Sequence, residues 1–167
     1  VEIFDSRMEI TNPGEPLVDT LRFIDTPPKS RNETLAAMMR RMKICEEAGT
    51  GIDKVIEAVE AFQLLAPDFT AITTTQPGFT KATLYAPRRL NDMDSKERIR
   101  ACYQHACLCL VTGSRMTNTS LRNRFGIKPE SSAQASRLIR EALKTQVIKL
   151  YDPDVRDRDR SYLPFWA

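Results

Sequence analysis

Residues 117–151, TNTSLRNRFGIKPESSAQASRLIREALKTQVIKLY, hold the pattern on which the fold reading turns. Thr117 offers a hydroxyl to cap a short helix that reaches Phe125, and Gly126 supplies the flexible residue that ends it. Ser131 or Ser132 starts the next helix, expected to run to about Thr145. In it Ala135, Leu138, Ile139, Ala142 and Leu143 fall on one stripe at helical spacing. The opposite side carries Ala133, Arg137, Arg140 and Lys144, with Gln134 at its edge. From Val147 to Tyr151 the pattern becomes that of a strand.

Working outward, 162–166 makes a second strand, and the polar segment DPDVRDRDR between them makes a loop. Upstream, Asp94 or Ser95 caps a helix to about Val111. Three helices with a Gly turn between the last two, then a two-stranded hairpin, form the pattern of a winged helix-turn-helix. A helix that enters the major groove needs a small, polar first turn and outward side chains that reach base edges. Arg137 can pair bidentately with guanine and Gln134 with adenine. Ser131 and Ser132 suit phosphate contacts at the helix start, and Arg140 and Lys144 extend the basic face. The wing offers Arg156, Arg158 and Arg160, whose attraction for phosphate is offset by the alternating Asp157 and Asp159. The same domain can also serve protein–protein contact alone.

Charge supports a polyanion partner for this half. Up to Asp92 there are 11 basic and 14 acidic residues; from Met93 there are 14 basic and 8 acidic, within an overall net charge of +3. Apolar runs are too short to span a bilayer. The chain opens at Val1 in strand-like sequence and is expected to be a piece of a longer cytoplasmic protein. Cys45, Cys102, Cys107 and Cys109 form no CxxC pair, which fits a reducing compartment. Cys102, His105 and Cys109 share one helix at spacings of three and four. The core is the favoured role for these cysteines over a metal site, because Ile99, Ala106 and Leu110 lie beside them. No metal site and no catalytic residue is expected in this chain.

The first half begins with VEIFDSRMEITNPG, a β-hairpin with Val1, Ile3 and Phe4 facing Met8 and Ile10 across the Asp5-Ser6 turn. Asn12-Pro13-Gly14 breaks its second strand. Residues 15–31 read as an irregular loop or lid. Asn32 caps a helix from about 33 to 42. Gly49-Thr50-Gly51 opens another, to about Phe62, with Ile52, Val55, Ile56, Val59 and Phe62 on its apolar stripe. Strands follow at about 71–75 and 79–85, and 88–94 looks like a linker.

VEIFDSRMEITNPGEPL, SRNETLAAMMRRM, EEAGTGIDKVIEAVE and the terminal SYLPFWA resemble a group of bacterial and archaeal predicted transcriptional regulators. These are often labelled RecG-like ATP-dependent DNA helicases. The resemblance implies an α+β chain. Residues 1–90 would be part of an ATPase-like α/β sandwich of the gyrase, chaperone and histidine-kinase (GHKL) type, and 91–167 a winged helix-turn-helix domain. It implies nucleotide contacts at Asn12, Gly14, Gly49, Thr50 and Gly51, where backbone N–H groups can meet phosphates; for Gly49 and Gly51 a tight loop between packed helices is the favoured reading. The Asp-x-Gly-x-Gly form is absent at 12–14, and the Mg²⁺-holding Asn and its neighbouring Glu belong to a helix upstream of Val1. ATP and Mg²⁺ are therefore expected of a longer protein and no cofactor of this chain. The reading is a regulator that binds double-stranded DNA as a homodimer, with an ATPase-like sensor or dimerisation domain. Its alternatives are a helicase-related enzyme lacking its catalytic half, and an interaction module.

Overall fold

A computed structural model of the chain describes residues 1–167 except 46–48, 50, 75 and 76. The residues group into two compact units, Val1–Val55 with Asp68–Leu84, and Ile56–Pro67 with Tyr85–Ala167. Among the described residues the fold is mixed α+β, with five α-helices, a four-stranded sheet and a two-stranded sheet.

The first unit is built on the sheet, in the order β1-β2-β4-β3. Strands β1 (Glu2–Phe4) and β2 (Arg7–Pro13) form the expected antiparallel hairpin, with Ile3 opposite Met8 and Phe4 opposite Arg7. The strand does not break at Asn12: it carries through Pro13, and Gly14 turns it at φ +97°. Glu9 ties the hairpin to the neighbouring strand by accepting from Arg7 Nε at 2.5 Å and Lys81 Nζ at 3.2 Å. Residues 15–31 are irregular apart from a 3₁₀ turn at Thr20–Arg22. Helix α1 (Glu33–Arg41) starts where Asn32 Oδ1 accepts from Leu35 N at 2.9 Å, the cap the sequence suggests.

Helix α2 (Gly51–Ala61) buries Ile56, but its expected stripe stops short of Phe62, which is 77% exposed. The helix ends at Ala61: Phe62 N still donates to Ala58 O at 3.2 Å, and at Gln63 the chain turns away with a left-handed φ of +52°. Strand β3 (Asp68–Ile72) starts three residues earlier than expected and pairs antiparallel with β4 (Phe79–Tyr85), Asp68 opposite Thr83 and Ile72 opposite Phe79.

The second unit follows its local signals closely. Asp94 caps α3 (Ser95–Val111) in a full capping box with Glu97. Thr117 caps α4 (Asn118–Phe125), and Gly126 ends it in the left-handed conformation at φ +62°. A 3₁₀ turn at Pro129–Ser131 leads into α5 (Ser132–Lys144). Strands β5 (Ile148–Leu150) and β6 (Tyr162–Pro164) pair antiparallel, with Met116 adding a bridge to Tyr162. Ala101, Cys102, Cys107, Met116, Leu121, Ala135 and Ala142 are wholly or almost wholly buried between these elements. The segment 88–94 is no loose linker: Met93 is buried, and Arg88 pairs with Glu97 at 2.8 Å. Trp166 Nε1 donates to Tyr103 Oη at 3.1 Å, closing the C-terminus onto α3.

Candidate nucleic-acid interface

The stripe that seats α5 determines what it exposes. Ala135, Leu138, Ile139 and Ala142 are buried, and Leu143 is partly so. Ser131, Ser132, Arg137, Arg140 and Lys144 are exposed, with Gln134 half-buried, as the periodicity requires. Two grooves flank this face. One, of about 580 Å³, is lined by Ser131, Gln134 and Arg137 together with Asn91, Arg98 and Glu130. In it Gln134 Nε2 donates to Asn91 Oδ1 at 3.2 Å. The other, of about 520 Å³, brings Ser132 and Arg140 together with Arg158 and Arg160 of the loop between β5 and β6. Lys144 and Arg156 are exposed but line neither groove.

Three further side chains line the second groove beyond the expected contacts: Asn118 and Thr119 of α4, and Ser136 of α5. Asn118 Nδ2 donates to Ser136 Oγ at 2.9 Å, and Arg122 donates to Asn118 Oδ1 and Thr119 Oγ1, both at 3.1 Å. This network fixes the start of α4 against the first turns of α5. Its signal in the sequence is the polar run Thr117-Asn118-Thr119-Ser120, which capping alone does not use up. Ser131, by contrast, holds the N-cap position of α5 without a side-chain capping bond; the preceding 3₁₀ turn orders the helix start instead. Two arginines of the loop between β5 and β6 are partnered within it, Arg160 Nη1 with Asp157 at 2.8 Å and Arg158 Nε with Asp159 at 3.4 Å.

Beneath this surface lies a charged cluster within the same unit. Glu60 Oε2 meets His105 Nδ1 at 2.7 Å, and His105 Nε2 meets Ser120 Oγ at 3.1 Å. Arg124, whose side chain is 1% exposed, places Nε 3.3 Å from Glu60 Oε1 and donates through Nη2 to Leu64 O at 2.7 Å. The Nε contact is close enough for Coulomb attraction but misaligned for a hydrogen bond, so Nε and Glu60 Oε1 stay unsatisfied.

A Ser–His–Glu row invites comparison with a nucleophilic triad, but the proton positions oppose it. Ser120 Oγ accepts from Thr117 N at 2.9 Å and donates to Thr117 O at 3.1 Å. Its proton is committed to that carbonyl, so the remaining lone pair accepts from His105. Burial disfavours the imidazolium, but hydrogen bonds to Cys109 and Glu60 outweigh it and push His105 up to about 9. A histidine that already carries both protons at neutral pH cannot activate a serine, so the cluster holds α3, α4 and residues 56–67 together. Cys102 and Cys109 are core residues beside it, as favoured above, and burial pushes the Cys102 thiol up.

The turns of the first unit have their own geometry. Asn12 is exposed on β2. Gly14 N donates to Gly78 O at 2.6 Å and Gly14 O accepts from Thr80 Oγ1 at 2.8 Å, so its backbone is engaged in the sheet. Gly49 has φ +67°, and a Cβ there would lie 2.9 Å from Pro28 Cδ. Gly51 is the exposed first residue of α2, with open space where a Cβ would be. Thr50 lies outside the described residues.

Residues 1–77 match the family described as "Putative ATP-dependent DNA helicase recG C-terminal". The chain is similar to that recG family over the β1–β2 hairpin, α1, α2 and β3, and Asn12, Gly14 and 49–51 all fall inside the match. The matched region stops before β4, so α3–α5 and the terminal hairpin lie beyond it. No curated protein and no solved structure matches the chain. Among the described residues no helix is long and apolar enough to cross a membrane.

Proposed function

We propose that the second unit is a winged helix-turn-helix domain that binds duplex DNA, with α5 in the major groove and the 152–160 loop as the wing. The observation that carries this is the two-faced α5. Its apolar stripe is buried, while Ser132 and Arg140 project outward beside the loop arginines and Arg137 lines the groove on the other side. Arg137 and Gln134 read base edges, whereas Ser131, Ser132 and Arg140 contact phosphates. Attached to a recG-like first unit, such a domain supports a DNA-binding regulator.

Fluorescence anisotropy with labelled duplexes tests the reading. With about four to six phosphates contacted, log K falls with log salt at a slope of roughly −4 to −5. Arg137→Ala lowers discrimination between sites by about 1–3 kcal/mol at one position, while Lys144→Ala weakens all duplexes alike. A flat salt response, or equal losses for Arg137→Ala on selected and random duplexes, counts against this assignment.

A second reading, a helicase-related ATP-dependent protein, is favoured by the family description over 1–77. In this chain Gly14 gives its N–H to Gly78, and Gly51 opens onto empty space. The Gly14 N–H is thus already engaged within the sheet, and phosphate release from ATP and Mg²⁺ is expected at background. Release that disappears in Gly51→Ala would put the enzyme reading first.

A further inference from the structure

Resting on the DNA reading, we propose that Asp157 occupies the seat of a backbone phosphate, and that duplex binding displaces it from Arg160. The groove between α4, α5 and the wing gathers Arg140, Arg158 and Arg160 with the polar Asn118, Thr119 and Ser132. Guanidinium groups beside hydroxyl and amide donors are the chemistry that holds a phosphodiester. One anion is already there: Asp157 Oδ1 lies 2.8 Å from Arg160 Nη1 in an ion pair between the first residue of a one-turn 3₁₀ helix and its C-cap.

The two partners differ in a way that suits exchange. Arg160 is partly buried, its side chain 37% exposed, and its Nε is buried with no hydrogen bond. Asp157 is 87% exposed and leaves for water at little cost, since a surface ion pair contributes only about 0–1 kcal/mol. Arg160 is thus held in the groove, aimed by a carboxylate that a phosphate can replace. Until then the carboxylate lowers the attraction of the wing for other polyanions.

The test compares the whole chain with Asp157→Asn, Asp157→Asn/Arg160→Met, and Asp154→Asn in anisotropy titrations with duplex DNA at low salt. Asp154 lies on the same loop and is exposed, and its backbone N–H bonds Asp152. Its substitution removes the same charge without touching Arg160. Asp157→Asn is expected to tighten binding about three- to tenfold, the order for one charge beside a phosphate at the surface. The double variant should lose that gain, and Asp154→Asn should gain less than twofold. If the unsubstituted chain binds duplex and Asp157→Asn binds no tighter, or no tighter than Asp154→Asn, the displacement is wrong and the DNA reading stands. If neither the unsubstituted chain nor Asp157→Asn binds duplex, the DNA reading falls and takes this proposal with it.

Discussion

Glu60→Ala is expected to destabilise the second unit by about 3–5 kcal/mol, the range for removing one partner of a buried ion pair. Glu60 is the carboxylate shared by His105 at 2.7 Å and Arg124 at 3.3 Å, and the three side chains are 13%, 10% and 1% exposed. Without it, an imidazolium and a guanidinium both remain desolvated and lose their shared carboxylate. His105 can shed its proton; Arg124 cannot, although burial pulls its affinity for the proton down. The loss is larger than for Arg124→Met, which removes a charge together with its desolvation cost. The chain's single tryptophan, Trp166, bonds Tyr103 inside this unit, so its fluorescence in a urea titration reports on the unit itself. A change under 1 kcal/mol for Glu60→Ala would mean that the two cations reach water more easily than their packing indicates.

The elements that could be read ahead of the structure are those governed by neighbours in the sequence. Asp94, Thr117 and Gly126 act within one helical turn, and each fixes its helix end where the residue pattern places it. The alternation in 1–11 likewise specifies the hairpin, because strand register follows a period of two. Readings failed where the chain changes direction. The apolar stripe of α2 extends on paper to Phe62, but the chain turns away at the left-handed Gln63 and leaves Phe62 exposed at the helix end. Asp68 looks like a turn residue after Pro67, yet it starts β3 because Thr83 lies opposite.

The candidate interface was half legible for the same reason. The outward face of α5 follows from its own period, whereas Asn118 and Ser136 meet only after α4 and α5 pack. The buried cluster was not legible at all. His105 invited a metal reading with the cysteines on its own helix, but its partner Glu60 stands 45 residues away, and Arg124 joins from a third element. No local pattern encodes a contact of that separation. The loop between β5 and β6 shows the reverse case: alternating Arg and Asp suggest mutual cancellation, and the loop does pair Arg160 with Asp157 and Arg158 with Asp159.

The same cluster makes stability fall on the alkaline side. His105 has an ordinary value near 6.5 and is pushed up to about 9 in the folded chain. A group whose folded value is raised stabilises fully below its unfolded value, and that contribution is lost as pH rises through the folded value. The window is therefore pH 6.5 to 9, and the full change is roughly 3 kcal/mol. The groups facing His105 are Glu60 from α2, Arg124 and Ser120 from α4, and Cys109 from its own helix. Arg124 remains charged throughout, so once the imidazole is neutral Glu60 has a single cation left. Cys102 adds a separate loss at higher pH, because its buried thiol resists ionisation while an unfolded cysteine ionises near about 8.5. Urea midpoints followed by Trp166 between pH 6 and 9.5, in reducing buffer, should fall for the unsubstituted chain and stay nearly level up to pH 8.5 in His105→Gln. A glutamine keeps a donor for Glu60 but cannot carry the charge. Parallel slopes in the two proteins would assign the alkaline loss to the cysteines and leave His105 neutral in the folded state.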